Sequence, residues 1–180
     1  MKKNSFDVVA VVVACVLLGI SAVGVVKVLL NGELDSTYLL GAIVLICSLN
    51  FLLLYLISGF TKGYAKLYKA ALLLGSLNAL FVTMASVNES SQYIAVMFCA
   101  LSFGLYMVLA FAKNFGKVKS LIFCAIVILC RISGLVSNII SYGSILDDHV
   151  ILIGSQLALS LAIFTATFAK YVDKTERGAI

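Results

Sequence analysis

Arg131 is the residue most able to do chemistry in this sequence. It stands at the centre of LIFCAIVILCRISGLVSNII, an apolar run from Leu121 to Ile140. A guanidinium offers five N–H donors in a fixed fork that matches carboxylate and phosphate oxygens. Placing such a charge in the middle of an apolar helix costs about 3 kcal/mol or more, and something must offset it. At 1.5 Å per residue the arginine lies roughly 16 Å from either end of its run. Its side chain reaches only about 7 Å, so it cannot simply extend to a surface. All eight carboxylates of the chain fall at the ends of apolar runs, between them or in the tail, so none is placed to pair with it. The polar residues at similar depth are neutral. Asn50, Asn78, Gln156 and Ser160 come from other runs, and Asn138 shares the arginine's face by helical spacing, as do Gly134 and Cys124. These six residues, Arg131, Asn50, Asn78, Asn138, Gln156 and Ser160, are the expected solute-binding set, the solute being small and anionic or polar.

Other chemistry is poorly provided for. The only histidine, His149, lies beside Asp147 and Asp148 between apolar runs, where a solvated acidic turn is a simpler reading than a metal site. The five cysteines (Cys15, Cys47, Cys99, Cys124, Cys130) sit inside apolar runs with no CxxC pair and read as small apolar fillers. There is no GxSxG, no HExxH and no phosphate-cradling glycine loop. No enzyme, no catalytic residue, no cofactor and no metal is therefore expected. The net charge of +5 sits in clusters at the ends of runs, so it argues for topology and not for nucleic acid.

The elements that must position Arg131 follow from composition. Of 180 residues 63% are hydrophobic and 12% charged, with a mean hydropathy of +1.15. A soluble domain would carry about a quarter charged residues. Six runs near the length of a bilayer crossing are present: about 8–30, 38–60, 67–87, 93–112, 120–142 and 150–169. The expected fold is thus all-α, a single six-helix transmembrane domain in the lipid bilayer. The basic N-terminus before the first run resembles a signal peptide, but Asp7 interrupts it and the run continues to Leu30, so the first helix is expected to be retained.

Charge alternates between the connections. Lys2 and Lys3, then Lys62, Lys66 and Lys69, then Lys113, Lys117 and Lys119, then Lys170, Lys174 and Arg177 fall on one side. Glu33, Asp35, Glu89, Asp147 and Asp148 fall on the other. Lysine and arginine mark the cytoplasmic side, which predicts both termini in the cytoplasm and the protein in the plasma membrane. Phe60-Thr61-Lys62-x3-Lys66, Phe111-Ala112-Lys113-x3-Lys117 and Phe168-Ala169-Lys170-x3-Lys174 repeat one pattern, with Tyr55, Tyr106 and Ile163 at equal distances before their phenylalanines. Three tandem helical hairpins are expected from it. Gly154, Ala158, Ala162 and Ala166 make a small ridge on the sixth run, opposite Gln156, Ser160 and Thr167, so that helix should be buried on both sides.

Six helices of this size with both ends inside, and Ala10-x3-Ala14 on the first, resemble the substrate-binding subunits of energy-coupling-factor vitamin transporters. The resemblance implies docking on a membrane partner through small residues of helix one. No vitamin-site motif is visible, and the outer turns are too short for an obvious lid. Two readings stand: a transport protein with an anion site around Arg131, and a non-catalytic membrane subunit or regulator that pairs with a partner protein or with further copies of itself.

Overall fold

Apolar runs of about 20 residues satisfy their backbone away from water within a single segment by forming α-helices. The computed structural model has six, and it describes residues 5–31, 36–57, 65–86, 93–111 and 116–177. They are α1 (Ser5–Asn31), α2 (Ser36–Ile57), α3 (Ala65–Ser86), α4 (Tyr93–Phe111), α5 (Lys117–Tyr142) and α6 (Asp148–Arg177). Five are long and apolar enough to cross a membrane; the apolar stretch of α4, Val96–Phe111, is shorter. All six expected runs are helical, and five of the helices carry a membrane-length apolar segment among the described residues. Lys2, Lys3, Glu33, Asp35, Lys62, Glu89 and Lys113 lie outside the described residues.

The interior is largely apolar with polar residues set into it, and the exterior is apolar too. Val12, Val16, Ile20 and Val23 of α1, Leu54 of α2, and Leu129 and Ile140 of α5 face outward. Ser21, Ser48, Asn78, Ser102, Arg131, Asn138, Gln156, Ser160 and Thr167 face inward. Such an apolar exterior is expected where lipid is the solvent. Many inward hydroxyls bond to carbonyls of their own helix, as Ser102 does to Phe98 (2.8 Å) and Thr83 to Ala79 (2.7 Å).

Packing runs round a ring, α2 on α3, α3 on α4, α4 on α5 and α5 on α6, with α1 seated mainly on α6 and only slightly on α2. The most enclosed helix is α6, with 67% of its membrane-length segment buried. Its small ridge does what the spacing predicts, since Ala158, Ala162 and Ala166 are all buried. Helix α6 also continues through the polar tail to Arg177, because no glycine or proline interrupts the chain before Gly178. The small pair on α1 behaves differently from expectation. Ala14 is fully buried inside the bundle and is no outward ridge, while the side chain of Ala10 lies outside the described set.

Helix α1 approaches α6 closely at Gly24. A Cβ there would come within 2.2 Å of the Ser155 hydroxyl, which is itself bonded to the Ile151 carbonyl (2.9 Å). One turn earlier the Ser21 hydroxyl donates to the Ser155 carbonyl (2.9 Å). Gly24→Val should therefore force the two helices apart and cost about 1–3 kcal/mol. Gly19→Val, on the exposed face of the same helix with nothing within 4 Å, should be near neutral. Thermal unfolding of the two variants in detergent compares them directly.

The α5–α6 connection is ordered by local chemistry. Gly143 takes a left-handed conformation (φ 67°), and its N–H closes α5 on the Ile139 carbonyl (2.9 Å). Asp147 then caps α6, its carboxylate accepting the His149 N–H (2.9 Å). The His149 ring lies 3.0 Å from the same carboxylate oxygen and stacks on Tyr142, with ring centroids 4.7 Å apart.

Candidate functional site

Three neighbouring helices build the site. Helix α5 carries Arg131, and α6 faces it with Gln156 and Ser160. Helix α4 closes the third side with Cys99 and Tyr106. Arg131 is buried to 2% exposure, among the largest fully enclosed side chains of the protein. Its Nη1 donates to Gln156 Oε1 (2.5 Å) and to the Cys99 sulfur (3.3 Å). It makes no ion pair among the described residues.

Hydrogen-bond direction around the arginine follows from which groups can donate. A guanidinium can only donate, so the Gln156 oxygen must face it and the Gln156 NH2 must turn away. That nitrogen then has no partner, and neither has the Arg131 Nε. The Ser160 hydroxyl donates to the Gln156 backbone carbonyl (2.8 Å), so the Tyr106 hydroxyl, 2.5 Å away, donates to Ser160. The lone pairs of Tyr106 remain for the guanidinium, which lies within reach of it. The result is an excess of donors around one positive charge.

Asn138 lies two turns further along the same face of α5 and is 1% exposed. Its Nδ2 donates to the Gly134 carbonyl (2.9 Å), and its Oδ1 is unpartnered. Thus Arg131, Gln156, Ser160 and Asn138 of the expected set converge on the interior between α4, α5 and α6.

The other two do not join them. Asn50 is exposed on the outside of α2, where its Nδ2 donates to the Ile46 carbonyl of its own helix (3.0 Å). Asn78 is buried but works elsewhere, donating across to the Gly41 carbonyl of α2 (2.7 Å) and tying α3 to α2. Two partners of the arginine were not in the expected set. Cys99 reads in sequence as an apolar filler, and Tyr106 appears there only as a member of the repeat. Cys15 and Cys47 are exposed, so inward filling describes only Cys99, Cys124 and Cys130.

A second polar contact lies nearer the basic end of the bundle. Tyr68 is buried and shares a hydrogen bond with Thr167, and its ring lies 5.3 Å from that of Tyr55. The repeat positions Tyr55, Tyr106 and Ile163 are all buried, whereas Phe60 lies outside the described residues. Among the described residues, no group of three or more His, Cys, Asp or Glu could hold a metal.

The arrangement leaves two buried donors, Arg131 Nε and Gln156 Nε2, and one buried acceptor, Asn138 Oδ1, without partners. The chain matches no protein-family profile, no curated protein and no solved structure.

Proposed function

We propose that this protein binds a small anionic solute at the level of Arg131 and carries it across the membrane. One observation carries the reading. A buried guanidinium without a carboxylate among the described residues has an unpartnered Nε, and beside it the Gln156 amide has an unpartnered nitrogen. Both orphan atoms are donors. Buried unpaired donors next to a buried charge are costly, and an anion would satisfy all three at once. Intramembrane ionisable residues are functional by default for the same reason. Arg131, Gln156, Ser160 and Asn138 would face the solute. Recognition and not bond-making is the chemistry proposed, since none of these groups is paired with a general base.

The protein would lie in the plasma membrane with both termini in the cytoplasm. Exposed Lys66 and Lys69 at the start of α3 and Lys119 near the start of α5, set against Asp147 and Asp148 at the opposite end, support that orientation. The three aromatic–lysine turns would be copies of one hairpin unit, a reading supported by the shared burial of Tyr55, Tyr106 and Ile163.

The test is a thermal-shift series in detergent with chloride, phosphate and a set of monocarboxylates. At least one anion should raise the melting temperature of the wild type and leave that of Arg131→Leu unchanged. Absence of any anion-dependent shift in the wild type would sink the proposal.

A second reading is favoured by a different surface. Asn50 lines a groove between α1 and α2 together with the exposed small residues Cys15, Gly19 and Ala22 and with Leu18, Leu49 and Leu53. An exposed amide over small residues is how membrane helices attract one another. The protein could accordingly serve as a subunit that meets a membrane partner, or another copy of itself, along α1 and α2. Asn50→Leu should then lower co-purification or cross-linking of the assembly in native membranes while leaving the melting temperature of the isolated chain unchanged. An undiminished yield of cross-linked species would remove this surface from consideration.

A further inference from the structure

Among the described buried glycines, Gly134 is the one that borders open space. Three described glycines are buried, and two of them are in contact with neighbours: a Cβ on Gly41 would meet Val82 at 3.4 Å, and one on Gly75 would meet Ser48 at 3.7 Å. A Cβ on Gly134 would meet nothing within 4 Å. This buried space lies on one face of α5 between Arg131, three residues before it, and Asn138, four residues after it. Protein interiors are packed closely enough that open room beside unpaired polar atoms calls for an occupant.

The polar atoms left over around Gly134 differ between its two ends. At the Arg131 end they are donors, Arg131 Nε and Gln156 Nε2. At the Asn138 end the one left over is an acceptor, Asn138 Oδ1, and it is held in that role because its amide nitrogen is spent on the Gly134 carbonyl. Arg131 and Asn138 are seven residues apart, about 10 Å along the helix, and the Asn138 side chain turns back towards Gly134. A matching solute is therefore short, with an anionic acceptor group at one end and a hydrogen-bond donor at the other.

Charge decides between the donors. A carboxylate neutralises the arginine, and a hydroxyl on the far end adds no charge. An ammonium there would restore the net positive charge, with no carboxylate of the described residues bonded to the site to balance it. We infer that the space over Gly134, between Arg131 and Asn138, is a pocket for a small hydroxy monocarboxylate. This rests on the proposed anion site and assigns its ligand class.

Calorimetric titration of the purified wild-type protein with 3-hydroxybutyrate, 4-hydroxybutyrate, butyrate, 4-aminobutyrate and phosphate tests it. A hydroxybutyrate is expected to bind about tenfold tighter than butyrate, the worth of one well-made buried hydrogen bond. Asn138→Leu should erase that difference while butyrate binding persists. Gly134→Leu should abolish binding of both. Gly134→Ala, whose methyl enters open space and which favours the helix, should melt no lower than wild type and still weaken hydroxybutyrate. Equal affinity for butyrate and both hydroxybutyrates, tighter binding of 4-aminobutyrate or phosphate, or full binding by folded Gly134→Leu would each overturn the ligand class and the pocket while leaving an anion site at Arg131. Failure of every anion to bind the wild type would overturn the site itself.

Discussion

Replacing Gln156 with leucine is expected to destabilise the protein by about 3–5 kcal/mol, more than any other single polar substitution in the bundle. The reason is the asymmetry between having a buried pair and breaking one. Gln156 Oε1 is the principal oxygen acceptor of the Arg131 guanidinium, at 2.5 Å, and the Cys99 sulfur that Nη1 also meets is a weak acceptor. Removing the amide leaves a permanently charged group enclosed among carbon, the Cys99 sulfur and the lone pairs of the Tyr106 hydroxyl. Asn78→Leu is the fair comparison, because Asn78 is equally buried and also makes a cross-helix bond. Only a neutral bond is lost there, and such bonds in membrane proteins average about 0.6 kcal/mol with a maximum near ~1.7. Unfolding in mixed micelles, with the two variants side by side, measures the difference. Equal losses would mean that the charge is held by some other group.

The second large effect has the opposite sign. Arg131→Leu should leave the ligand-free protein as stable as wild type or more stable, by up to about 4 kcal/mol, because a well-packed apolar residue avoids the desolvation of the guanidinium. The single variant still carries the Gln156 amide, which has then lost its partner. Arg131→Leu combined with Gln156→Leu is therefore the cleaner measurement. The double variant should recover most of what Gln156→Leu loses, a coupling of about 2–3 kcal/mol between the two sites. It should also show no response to any anion. A stabilising arginine, with its removal unfolding the bundle in the absence of ligand, would instead make Arg131 a structural anchor.

Depth was readable from the sequence, and azimuth was not. Arg131 could be placed at mid-helix by counting residues, and Asn138 could be placed on its face from the helical repeat. Gln156 and Ser160 could be turned inward because the small ridge on α6 required that helix to be enclosed. Asn50 lies at a suitable depth too, yet α2 is apolar all round, so periodicity could not say which side met the bundle. It meets the outside. Asn78 was turned the correct way, but its partner is a backbone carbonyl, and carbonyls exposed by close helix approach leave no mark in side-chain patterns. Cys99 and Tyr106 escaped for a chemical reason. A thiol and a phenol inside an apolar run both read as hydrophobic, although each has a polar atom that a neighbouring cation can use. The extent of α6 was underestimated because polarity ended the apolar run before anything ended the helix.

The position of α6 has a consequence for how the molecule comes into being. Helix α1, made first, finds its main neighbour in the sixth helix of the sequence, and Arg131 obtains its oxygen acceptor from that same helix. Until α6 has been synthesised and inserted, the earlier helices hold a half-built interior, and an uncompensated charge is exposed to lipid or to the insertion machinery. Interrupting synthesis before α6 should therefore yield a species recognised by membrane quality control and not a smaller stable bundle. Folding here is a delayed closure, with the keystone set last.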